Sequence, residues 1–148
     1  MRFFNTVGPR QVGTYGMVVP RFVKSAMRNE PITIYGDGKQ TRCFVHVMDT
    51  VDAVLAIAFA QNTIGKVINV GNNFEISIID LAQKIIAQTD SRSEIRYFSY
   101  DEAYGESFED MERRVPNIDL INNLVGWIPK RDLSTIITDI AAEMHNHP

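Results

Sequence analysis

In the stretch Pro31-Ile32-Thr33-Ile34-Tyr35-Gly36-Asp37-Gly38-Lys39-Gln40-Thr41-Arg42-Cys43-Phe44-Val45-His46-Val47, strand patterning is broken by turn chemistry and then resumes. Ile32 to Tyr35 alternates apolar and polar, as a half-buried strand does. Gly36-Asp37-Gly38 predicts a turn, because glycine accepts positive φ and aspartate hydrogen-bonds to nearby backbone. Arg42 to Val47 is extended again. Asp49 can then cap a helix whose expected buried face is Val51, Val54, Leu55 and Ala58.

Upstream, Arg2-Phe3-Phe4 reads as a short strand running into Gly8-Pro9, followed by a loop through Gly13 and Gly16. Val18, Val19, Phe22, Val23, Ala26 and Met27 fall on one face at helical spacing, predicting a helix from Val18 to Arg28 that Asn29 and Pro31 close. Downstream, Lys66 to Val70 is a predicted strand, and Ser77 with Asp80 has the spacing of a capping box before a helix buried through Leu81, Ala82, Ile85 and Ile86. Glu94 to Phe98 is a further strand, Asn117 or Asp119 can cap a short helix ending at Gly126, and Ser134 to Met144 forms a last amphipathic helix. The predicted class is mixed α/β, in one domain over residues 1–148, with no repeat, linker or low-complexity tract.

The charge balance of 15 basic and 18 acidic residues, net −3, with no basic run, argues against a nucleic-acid partner. Cys43 is the single cysteine; within an extended stretch it reads as a strand residue and points to a reducing cytoplasm. No apolar run approaches the ~20 residues of a membrane span, and the first residues lack the pattern of a signal peptide. The expectation is a cytoplasmic protein without a membrane partner.

Four ordered blocks carry a resemblance. They are Arg2-Phe3-Phe4-Asn5-Thr6-Val7-Gly8-Pro9-Arg10-Gln11; Pro31 to Arg42 with Phe44 to Val47; Asn69-Val70-Gly71-Asn72 with Ile76-Ser77; and Arg113-Arg114-Val115-Pro116-Asn117-Ile118 with Leu124-Val125-Gly126-Trp127-Ile128-Pro129-Lys130. Together they resemble the substrate-binding lobe of extended short-chain dehydrogenases, the NAD-dependent epimerases and dehydratases that act on nucleotide sugars. The resemblance implies a small mixed α/β lobe lacking the Rossmann domain, with residues 1–8 as the end of that half. It implies a UDP-sugar as partner, with the epimerase and decarboxylase branches nearer than the dehydratases.

In that family a Gly-rich turn holds the NAD pyrophosphate, and a Tyr-x-x-x-Lys pair moves the proton. No such Gly-rich turn is found in this sequence, and the Tyr-x-x-x-Lys spacing occurs once. Tyr35 and Lys39 have the spacing, but Gly36-Asp37-Gly38 between them is turn chemistry, whereas the pair needs one helical face. No catalytic residue, no metal ligand and no bound NAD are therefore expected on this chain, and it should be inactive alone. The missing Rossmann half is an expected partner. Because the family's dimer contact is made by helices of that half, any homo-oligomer should use another surface.

By resemblance, Arg42 and Arg114 match the arginines that contact the diphosphate, and Asn5 an asparagine that hydrogen-bonds the substrate beside it. Arginine suits a diphosphate because its planar fork engages two oxygens and its charge does not titrate away. Thr33 and Tyr35 match positions offering the base backbone hydrogen bonds and an aromatic face, and Val18 an apolar position near the base. Met17 stands where some members carry a polar or cationic group, with Arg21 a candidate to replace it. Read without the resemblance, Tyr35 is equally strand packing, Val18 helix core and Arg113 a surface neighbour. His46 is a strand residue, Trp127 a core residue, and the acidic run from Asp101 to Glu112 a solvated loop. The alternative function is a non-catalytic nucleotide-binding or regulatory module, or a fragment that needs a separate cofactor half.

Overall fold

The computed structural model describes residues 1–11, 17–99 and 111–147. Gly13, Gly16 and the acidic residues from Asp101 to Asp110 lie outside them. The described strands are β1 (Arg2–Phe3), β2 (Thr6–Val7), β3 (Ile32–Tyr35), β4 (Thr41–Cys43), β5 (Val45–His46), β6 (Asn69–Val70), β7 (Glu75–Ser77), β8 (Ile95–Phe98) and β9 (Arg113–Arg114). The helices are α1 (Val18–Met27), α2 (Val47–Ala58), α3 (Ile78–Gln88), α4 (Asp119–Val125) and α5 (Leu133–Asn146). The chain is mixed α/β.

The pairing is mostly parallel and in short pieces. β1 pairs with β6, β2 with β5 and β3 with β8, all parallel, while β4 lies between antiparallel β7 and parallel β9. Two cores result. In the first, Val19, Phe22, Val23 and Ala26 of α1, Leu81, Ala82 and Ile85 of α3, and Ile136, Ile137 and Ile140 of α5 close on Ile32 and Ile34 of β3. In the second, Ala53 and Ile57 of α2 pack with Val45, Ile68, Val70, Ile118, Ile121 and Trp127.

Local chemistry explains the element ends. Ser77 caps α3 by accepting the Asp80 N–H at 3.0 Å, and its hydroxyl donates to the Asp80 carboxylate at 2.6 Å. Asp132 caps α5 by accepting the Thr135 N–H at 2.8 Å, and Gly126 ends α4 at φ 68, a left-handed cap that suits glycine. Asn117 accepts the Asp119 N–H at 2.9 Å just ahead of α4.

Two expectations about α2 are corrected. Its cap is His46, whose Nδ1 accepts the Met48 N–H at 3.0 Å, not Asp49. Asp49 sits within the first turn and is 1% exposed. Its carboxylate accepts the N–H groups of Lys130 and Arg131 at 3.1 and 2.9 Å and the Arg131 guanidinium at 2.6 Å, and its carbonyl accepts the Trp127 indole N–H at 3.0 Å. Buried carboxylates persist only with such partners. The inward face of α2 is Asp49, Thr50, Ala53 and Ile57, so the expected face of Val51, Val54, Leu55 and Ala58 is rotated by about one residue. Val51 and Leu55 are exposed. Only Asp49, Thr50 and Asp52 of its residues are polar, so apolar pattern alone could not choose between the two sides.

Candidate functional site

β4 and β9 organise one end of the site. In their parallel register Thr41 faces Arg113 and Arg42 faces Arg114, and cross-strand partners share a face of the sheet while successive residues alternate. Arg42 and Arg114 therefore project to one face, and Thr41 and Arg113 to the other. The second face is neutralised: Arg113 donates two hydrogen bonds to Glu75, at 2.6 and 3.0 Å, and the Thr41 hydroxyl donates to the same carboxylate at 2.9 Å. Arg113 and Thr41 hold Glu75 below the ordinary carboxylate range, and Glu75 raises Arg113. The first face carries the guanidinium groups of Arg42 and Arg114 on neighbouring strands, and Arg42 Nη1 donates to the Thr41 carbonyl at 2.7 Å.

Asn5 adjoins this pair. It sits between β1 and β2 at φ 39, a conformation asparagine tolerates better than most residues. Its Nδ2 donates to the Cys43 carbonyl at 2.8 Å and its own carbonyl accepts the Val45 N–H at 3.2 Å. The Arg114 guanidinium lies 5.2 Å from the centroid of the Phe4 ring. Phe4 in turn lies against Gly71, where any side chain would come within 2.9 Å of Phe4 and Pro116, so glycine at 71 permits the platform on which Arg114 stacks. Asn5, Arg42 and Arg114 are thus brought together, with Phe4 an unexpected fourth member. Sequence spacing carries no signal for it, since the contact joins residues more than a hundred positions apart.

The other end is built on β3. The Ile32 N–H donates to the Glu94 carbonyl and the Gly36 N–H to the Phe98 carbonyl, at 2.8 and 2.9 Å, so even-numbered residues bond β8 and the backbone groups of Thr33 and Tyr35 face the opposite edge. The Tyr35 carbonyl on that edge accepts Gln40 Nε2 at 3.1 Å. Arg21 of α1 places its Cζ 5.4 Å from the centroid of the Tyr35 ring. Thr33 and Tyr35 are half-buried, and Val18 packs against the first core, the helix-packing role that its pattern also predicted.

The turn between the two ends is tight. Gly36 and Gly38 have φ 72 and 74, and a side chain at Gly38 would come within 3.2 Å of Ile34 and 3.3 Å of Ile79. The carbonyl of Gly38 accepts the Ile79 N–H and that of Gln40 the Ile78 N–H, which ties the turn to the start of α3. Lys39 follows a turn and not a helix, with its Nζ 3.2 Å from Asp37, so it does not share a helical face with Tyr35.

Other reactive groups have structural roles. Burial, with Glu75 adding to it, pushes the Cys43 thiol up to about 11, far from the range of a nucleophilic thiolate. His46 is buried, with Nε2 3.2 Å from Asp139. Among the described residues no cluster of His, Cys, Asp and Glu is arranged to hold a metal ion, and no helix is long and apolar enough to cross a membrane.

The comparisons with known proteins agree with this architecture. The chain is 38% identical over 130 residues to UDP-N-acetyl-alpha-D-glucosaminuronate decarboxylase of Bacillus cytotoxicus, a match covering 87% of this chain and 40% of that protein. Among solved structures, it superposes on epimerase Mth375 of Methanothermobacter thermautotrophicus with a TM-score of 0.85 at 28% identity, covering 98% of this chain and 42% of that one. The fold is shared with UDP-glucuronic acid 4-epimerase of Bacillus cereus, solved with UDP-glucuronic acid and NAD, at a TM-score of 0.85 and 24% identity over 98% of this chain and 44% of that one. The chain thus spans well under half the length of these relatives. Residues 1–140 match the family described as GDP-mannose 4,6 dehydratase, and the chain belongs to that family, whose relatives and structural neighbours include nucleotide-sugar decarboxylases and NAD-dependent epimerases.

Proposed function

We propose that this chain is the nucleotide-sugar-binding portion, residues 1–148, of an NAD-dependent epimerase or decarboxylase, with a UDP-sugar as ligand. The single observation that carries the reading is the cross-strand pair Arg42 and Arg114, two guanidinium groups on one sheet face, whose planar forks suit a diphosphate. Asn5 stands beside this pair. At the other end, Thr33 and Tyr35 offer a backbone edge and a ring for the base, and Val18 lines the start of α1. The UDP carrier is supported by the name of the Bacillus cytotoxicus relative.

In a dinucleotide-binding fold a Gly-rich turn at a helix N-terminus holds the pyrophosphate, and no such Gly-rich motif is found in this sequence. We assign the cofactor and the proton chemistry to a separate Rossmann half, in the same polypeptide or another. Support for such a half comes from the apolar outer side of α2, where Leu55 is 52% exposed and is continued by Phe59 at 87%, and from Phe3 of β1, 51% exposed. Parallel strands such as β1 and β6 are ordinarily covered on both faces. A homo-oligomer formed in the absence of that half would use the same apolar surface. The single buried cysteine supports a reducing, cytoplasmic setting.

Ligand-observed NMR with UDP tests the binding assignment. An open cleft gives a dissociation constant on the order of millimolar. Because a charge-assisted contact contributes about 1.5–3 kcal/mol, Arg42→Ala and Arg114→Ala each lose the signal. Arg113→Ala keeps it, since Arg113 is engaged by Glu75 on the other face. Wild-type binding in both Arg42→Ala and Arg114→Ala sinks the assignment. The rival reading, a regulatory nucleotide-binding module, predicts the same UDP result but no turnover when the chain is assayed with a cofactor-binding half.

A further inference from the structure

We propose that Arg21 is a positioning residue at the base end of the site, acting on the nucleotide through the ring of Tyr35; this rests on the nucleotide-sugar reading above. Its Cζ lies 5.4 Å from the Tyr35 centroid. A guanidinium within about 6 Å of an aromatic face is drawn to the ring's quadrupole, more strongly as water is excluded. Both side chains are half-buried. The contact joins α1 to the last residue of β3, where the strand gives way to the Gly36–Gly38 turn.

Orientation matters here because of what else the end of β3 presents. Ile32 and Ile34 point into the first core, so Thr33 and Tyr35 project their side chains to the opposite face. Their backbone groups lie along the edge turned away from β8. A ring in contact with Arg21 beside a backbone edge of hydrogen-bonding groups is the pairing of surfaces that suits a planar nucleobase. The charge of Arg21 is engaged with the ring, whereas the cations of the diphosphate end, Arg42 and Arg114, stand on β4 and β9. The sequence suggests Arg21 as a stand-in phosphate ligand for Met17; the geometry points instead to the base.

The two roles separate in a titration of the chain with UDP and with inorganic pyrophosphate, followed by NMR. Loss of a partly exposed cation–π contact is expected to weaken UDP about threefold in Arg21→Met while leaving pyrophosphate unchanged. Arg21→Lys, which keeps the charge but not the flat stack, recovers part of the loss and provides the reading should Arg21→Met fold poorly. Tyr35→Phe retains the contact and keeps the Arg21→Met effect on UDP, whereas Tyr35→Leu abolishes that effect. Arg42→Ala weakens both ligands. Equal weakening of UDP and pyrophosphate by Arg21→Met, or no weakening of either, overturns the proposal while leaving the nucleotide-sugar reading intact. Failure of the wild-type chain to bind UDP removes both.

Discussion

Helices α5 and α2 are of similar length and end differently. α5 buries Ile136, Ile137 and Ile140 against α1 and α3 and leaves Thr138, Ala142, His145 and Asn146 to water. α2 buries the less apolar side of itself, with Thr50, Ala53 and Ile57 inward, and turns Met48, Val51 and Leu55 outward. A helix apolar all round is one that is covered all round. The contrast teaches that α5 keeps its large apolar side chains inward while α2 leaves several outward, and that outer side of α2 is where the proposed cofactor-binding half would dock.

The largest effect should come from the inward side of α5. Ile137→Ala removes a fully buried side chain at the α1, α3 and α5 contact and is expected to cost about 2–5 kcal/mol in urea unfolding; a loss under 1 kcal/mol would mean that this core is loosely packed. Next, Asp49→Ala strips the partners from two backbone N–H groups and Arg131 and should cost about 2–3 kcal/mol, marking the inner side of α2 as essential despite its polarity. On the outer side of the same helix, Leu55→Glu should change the unfolding midpoint by no more than about 0.5 kcal/mol. It should also suppress concentration-dependent association in sedimentation, and it would abolish docking of a cofactor-binding half. A large loss of stability in Leu55→Glu would show that α2 is covered within this chain and break the comparison.

The smallest effect concerns pH. Because Arg113 and Thr41 lower Glu75 below its ordinary 4.5, its contribution to stability is present above about that pH and is lost as pH falls through the folded value. Wild type should therefore exceed Glu75→Gln in thermal midpoint near neutrality, and the difference should shrink as pH falls below 4.5. A constant difference down to pH 3 would show that the Glu75–Arg113 pair is not the source.

What the sequence determined by itself was the kind and order of elements, because periodicity, caps and turn glycines are local signals. The 36–38 turn, the Ser77–Asp80 cap, the Gly126 stop and the α1 stripe were all legible within a few residues. The family too was legible, since four ordered blocks carry it. Tertiary structure decided the rest. Which side of α2 is buried depended on where Lys130, Arg131 and Trp127 arrive to meet Asp49, some eighty residues downstream. That Arg42 and Arg114 share a face, with Arg113 held by Glu75 on the other, depended on the β4–β9 register, and one residue of slip would exchange the two arginines. The stacking of Arg114 on Phe4 and of Arg21 on Tyr35 required the elements bearing them to pack first. Such contacts join residues distant in the chain, and no local pattern records a partner that only folding brings near.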